Sequence, residues 1–159
     1  ADLSELNAGI EQLLQDTTGP ITEQMVDRYY GGRVEATGFK VADAAVAGRS
    51  AEALTLLRHA LATGSDPVPL VAAVALKLRT MARVQGLSGG SGQLASELKM
   101  APWQVDRARR DLRSWNDVAL GRALLEVAHA DEAVKGGGRD PVYAVERLVT
   151  RVSAQAREH

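Results

Sequence analysis

Apolar residues recur along this chain at intervals of three and four, the spacing that puts side chains on one face of an α-helix. Leu3, Leu6, Ile10 and Leu13 form the first such stripe, which Gly19-Pro20 ends. A short helix after the capping residue Thr22 carries Met25, Val26 and Tyr29. Phe39 to Ala47 reads as a third helix, stopped by Gly48. Ser50 stands where a cap is needed for the next, with Leu54, Leu57 and Leu61 on one face and Gly64 at the C-terminal position. Asp66-Pro67 joins a cap to a proline at the first helical position, where the missing N–H costs nothing. That helix runs to about Gln85 with Leu70, Val74, Leu78 and Met81 on its stripe.

Residues 86–92, GLSGGSG, have the composition of a mobile loop rather than of a phosphate cradle. Two shorter helices follow, over about 93–99 and 102–113. Asn116 caps a long helix that reaches about Val134, and Gly136-Gly137-Gly138 ends it. Asp140-Pro141 repeats the cap-and-proline device ahead of a last helix lined by Val142, Val145, Val149 and Val152. No segment of useful length alternates with period two. The fold class predicted is all-α, a helical bundle.

Composition narrows this without changing it. The 159 residues are 45% apolar and 25% charged, the balance of a folded globular chain. Six aromatic residues leave the core to Leu, Val and Ala. Lys77 and Arg79 interrupt the longest apolar run, so no membrane span is expected. The chain opens without Met and in mid-helix, as a fragment would, with no charged-then-apolar leader. No cysteine is present, which excludes disulfides, thiolate metal sites and cysteine nucleophiles. His59, His129 and His159 are too few and too scattered for a metal cluster. A cytosolic helical protein that is not an enzyme is expected.

Charge divides the chain. Up to Thr37 seven acids face two bases, a net −5, and the remainder carries +4. Gly31-Gly32 and Gly38 lie between the two parts, and glycine interrupts helices through its backbone freedom. The expected units are therefore 1–37 and 38–159, the first too short to bury much surface unless it is truncated or packed on the second.

Candidate chemistry is sparse. GGSG at 89–92 lacks the Gly-Lys-Ser/Thr that reaches phosphates and metal, and KGGG at 135–138 ends a helix instead of opening one. Asp131 and Glu132 are adjacent and point different ways on a helix. Asp131 nevertheless falls on the stripe Leu120, Leu124, Val127, 131, Val134, where an unpaired buried acid would cost several kcal/mol. It is expected to pair with Arg79, with Lys135 or with both, unless helix rotation brings it to the surface.

The segment LASELKMAPWQVDRARRDL, 94–112, has the rhythm of a helix-turn-helix, with a turn at Lys99–Ala101 and Val105 facing inward. Arg107, Arg109, Arg110 and Arg113 are then available for solvent or for DNA phosphates. Residues 77–122 carry nine bases and four acids, a net +5 that suits an acidic partner. The alternative is a solvated helix with internal pairs such as Asp106–Arg109 and Asp106–Arg110.

The order Phe39, Asp43-Ala44, Gly48, Ala53-Leu54, Leu57, Leu61, Gly64, Pro67, Leu70, Arg79 resembles the start of the C-terminal collar domain of bacterial DNA polymerase III delta subunits. The run Asp131, Lys135-Gly136, Pro141, Glu146, Leu148-Val149 resembles its last two helices, and GPITEQMVDRYYG at 19–31 the end of the family's lid domain. The resemblance implies a partial lid over 1–37, a collar over 38–159, and an assembly module of the clamp loader with no cofactor and no catalytic residue. It further implies the motor ATPase and delta-prime subunits as partners, with the sliding clamp reached only through an N-terminal domain absent from this chain. The DNA polymerase (nucleotidyltransferase) activity with which the holoenzyme is classed is not supplied by these residues. The alternative reading is a helix-turn-helix regulator that binds DNA through 94–113.

Overall fold

The computed structural model describes residues 36–137 and 140–157. The stripes and glycines expected before residue 36, Gly138-Arg139 and His159 lie outside them. The described residues form seven α-helices and no strand. They are α1 (36–46), α2 (Ser50–Ala62), α3 (Pro67–Val84), α4 (Ser91–Leu98), α5 (Pro102–Leu112), α6 (Asp117–Glu132) and α7 (Pro141–Arg157).

Helix α3 is central. Eight of its eighteen residues are buried, among them Leu70, Val74, Leu78 and Met81 of the expected stripe. Helices α5, α6 and α7 each pack on it, α2 packs on α7, and α4 packs on α5. One apolar core runs through all seven helices, and its largest fully buried side chains are Leu57, Leu70, Leu78, Met81, Leu120 and Leu148.

Helix ends follow the local chemistry. Asp66 Oδ1 accepts from the Val68 N–H at 2.9 Å, Asn116 Oδ1 from Ala119 at 2.7 Å, and Asp140 Oδ1 from Tyr143 at 3.0 Å. Gly64, at φ 100°, closes α2 with the paired bonds Gly64 N–H to Leu61 C=O and Ser65 N–H to Ala60 C=O. Ser50, expected as a cap, is instead the first residue of α2, and the capping position belongs to Arg49, whose side chain makes no capping bond. Helix α6 widens after Glu132 into a π-type turn, Ala133–Gly137, which kinks at Gly136 with φ 122°.

Several expectations shift by part of a turn, and alanine is the reason. On α6 the buried face is Ala119, Leu120, Ala123, Val127 and Ala130, which places Leu124 and position 131 at its edge. On α2 the buried residues are Ala53, Leu57 and Ala60, and Leu54 and Leu61 are only partly covered. Val142, expected on the inner face of α7, is exposed, while Val145, Leu148, Val149 and Val152 are buried. Small side chains let helices approach closely, so they take the innermost positions and rotate larger neighbours outward.

Gly38 is not a break. Helix α1 runs through it, and an added Cβ there would lie 2.9 Å from the Ala73 Cβ on α3. The absent side chain sets how closely α1 and α3 pack.

Candidate interaction surface

Helices α1, α3 and α5 converge on a groove of about 230 Å³. Phe39 comes from α1, Leu76 and Thr80 from α3, and Trp103, Gln104 and Arg107 from α5, over a floor of Met81 and Ala108. Trp103 is 67% exposed, and Phe39 and Leu76 are also exposed. Trp103 faces outward because Val105 and Ala108 define the buried side of α5 and position 103 is off that stripe. Pro102 opens the helix, and Gln104 Oε1 reaches back to accept from the Ala101 N–H at 2.9 Å. Two aromatic side chains and one aliphatic held in water beside a charged rim are the usual composition of a recognition surface.

An ion network forms part of the groove wall through Asp43, Lys77 and Arg107. Lys77 Nζ is 3.0 Å from Asp43 Oδ1 and 2.6 Å from Asp111 Oδ2, and Arg107 reaches Asp43 Oδ2 at 2.8 Å. The side chains of Lys77 and Asp111 are only 13% and 15% exposed. A lysine inside the longest apolar run was the sequence signal for this arrangement, but it shows only that Lys77 needs an acid, not that two acids on different helices supply it.

The four arginines considered for nucleic acid are placed differently by the structure. Arg107 is held by Asp43, and Arg109 donates to the Gly89 carbonyl at 2.7 Å. Arg110 and Arg113 are exposed. Asp106 bonds Ser91 Oγ, on the helix before it. The turn between α4 and α5 uses Lys99 in the left-handed region, φ 57° and ψ 48°. The loop ahead of α4 is tied rather than loose, through Arg109 to Gly89 and Ser91 to Asp106, and α4 begins at Ser91 inside the segment expected to be mobile.

Asp131 lies 2.9 Å from Lys135 one turn on, with side chains 44% and 60% exposed. Arg79 is exposed on α3, and the structure does not bring it to Asp131. His59 and His129 are exposed, and among the described residues no group of three or more His, Cys, Asp or Glu side chains could hold a metal. No helix among the described residues is long and apolar enough to cross a membrane.

The family model for the DNA polymerase III delta subunit, C-terminal domain, matches residues 35–152. The chain belongs to that family. The match spans every described helix up to Val152, so α1 to α7 are the elements of a delta C-terminal domain. The fold is similar to that of the DNA clamp loader delta protein of Bacillus subtilis, with a TM-score of 0.67 and 21% sequence identity. That similarity covers 96% of this chain and 46% of the Bacillus protein, so the delta chain described here spans less than half of that relative's length. No curated protein matches the sequence.

Proposed function

We propose that this delta C-terminal domain is a cytoplasmic assembly module that joins a delta subunit to the other subunits of a bacterial clamp loader. The observation that carries the reading is the match over 35–152 to a domain of a replication subunit. In this reading residues 38–159 form the collar and 1–37 belong to the lid domain. The module itself is not an enzyme, and its partners are the motor ATPase and delta-prime subunits. The surface supports an interaction role, because Phe39, Leu76 and Trp103 stand exposed around one groove. A free-standing DNA-binding regulator is disfavoured, because Arg107 and Arg109 are already engaged within the fold.

Size-exclusion chromatography of this chain, mixed with the motor and delta-prime subunits of the same organism at moderate salt, tests the proposal. A co-eluting complex is the expected outcome. Separate elution, under conditions where a full-length delta subunit assembles, would place the assembly contacts outside these residues.

A further inference from the structure

We infer that α4 and α5 form a hairpin held onto the bundle by an ionic clasp, and that this hairpin opens as a unit while the remaining helices stay folded. The inference is independent of the partners proposed above.

The hairpin is thinly packed. Its two helices bury four apolar residues in nineteen positions, Leu94, Ala95, Val105 and Ala108, against eight in the eighteen positions of α3. Helix α4 packs on α5, and it is α5 that packs on α3. Segments with few buried apolar contacts open at lower free energy than the core around them.

Polar bonds supply much of the remaining attachment. Lys77 bridges Asp43 on α1 and Asp111 on α5, and Arg107 on α5 reaches the same Asp43. Arg83, near the end of α3, donates to the Leu98 carbonyl at the end of α4. Asp111 Oδ2 is buried, and the Lys77 ammonium at 2.6 Å offsets its charge. Without Lys77 that carboxylate regains water most readily if α5 swings away.

The joints suit such a motion. Gly86, at φ 77°, and Gly89, at φ 116°, lie on one side, and no atom would obstruct a Cβ at Gly86. On the other side Trp115 is buried, and its Nε1 donates to the Val46 carbonyl at 2.8 Å, a fixed post next to the end of α5. Opening removes Trp103 from Phe39 and Leu76, so the exposed groove exists only while the clasp is closed.

Native-state hydrogen exchange read by mass spectrometry tests this on the whole chain. Amides of residues 91–112 are expected to exchange at least about tenfold faster than those of 145–156. Lys77→Met should accelerate 91–112 by a further factor of about ten or more, with 145–156 still exchanging at least about tenfold more slowly than 91–112. Lys77→Met with Asp111→Asn, which removes the stranded charge, should return 91–112 to within about threefold of the parent. Equal exchange rates of the two regions in the parent, or no acceleration of 91–112 by Lys77→Met, overturns the clasp. If Lys77→Met does not fold, Arg107→Gln gives the same reading, with faster exchange of 91–112 in support and unchanged exchange there against.

Discussion

Gly38 on α1 lies against Ala73 on α3 so closely that a methyl group at position 38 would be 2.9 Å from the Ala73 Cβ. Both partners at this crossing are buried, and neither has a flexible end that could yield. The glycine that looked like a boundary in the sequence is a packing residue inside a helix.

Gly38→Ala therefore sets two effects against each other. Alanine favours a helix interior over glycine by about 1 kcal/mol, while overpacking a rigid contact costs about 1–3 kcal/mol. The packing effect should prevail, leaving the variant less stable by up to about 2 kcal/mol in urea unfolding. Gly38→Ala with Ala73→Gly should be less destabilised than the sum of the single changes. A Gly38→Ala protein more stable than the parent would show that the helices separate freely.

Trp115 ties the end of α5 to the end of α1. Its Nε1 donates to the Val46 carbonyl across 69 positions of sequence, in a buried setting. Trp115→Phe keeps an aromatic ring but removes the donor, and a buried carbonyl left without a partner costs about 1–3 kcal/mol. A loss in that range is expected by chemical denaturation. The same variant isolates Trp103, whose fluorescence should be red-shifted and readily quenched by acrylamide because the ring is mostly in solvent. A blue-shifted, protected Trp103 would contradict the exposed groove.

Lys99 occupies the left-handed region at the end of α4, where glycine is the usual residue. A side chain there costs about 1–2 kcal/mol, partly offset because glycine loses more backbone freedom on folding. Lys99→Gly should stabilise the protein by about 0.5–1 kcal/mol. Lys99→Val, β-branched at a positive φ, should destabilise it. Thermal unfolding of the two variants gives shifts of opposite sign if this turn is formed as described.

The all-α class, the cap-and-proline starts at Asp66 and Asp140, and the stripe of α3 were legible in the sequence, since each rests on local periodicity and backbone chemistry. What the sequence concealed depends on neighbours. The faces of α2 and α6 were read from leucines, but Ala53, Ala60, Ala123 and Ala130 sit innermost, and an alanine's place is decided by the opposing helix. The groove went unseen for a similar reason. Trp103, Leu76 and Phe39 come from three helices, and local pattern does not show which helices meet. Lys77 was visible as a charge in an apolar run, whereas its two acids, 34 positions away on each side, were not.

Asp131 is the sharpest contrast. Its place in the leucine–valine stripe argued for a buried pair, yet rotation of α6 onto its alanine face leaves it at the edge, beside Lys135 at 2.9 Å. An exposed pair of this spacing, with the acid N-terminal to the base, contributes about 0.3–0.5 kcal/mol and is screened by salt. Asp131→Ala should therefore lower stability by less than about 0.5 kcal/mol in urea at moderate salt, with alanine's helix preference offsetting part of the loss. Lys77→Met removes a cation that two acids share in a nearly dry setting, and it should lower stability by more than about 2 kcal/mol. A loss above about 1.5 kcal/mol for Asp131→Ala would mean that the acid is buried after all and that its cation is structural.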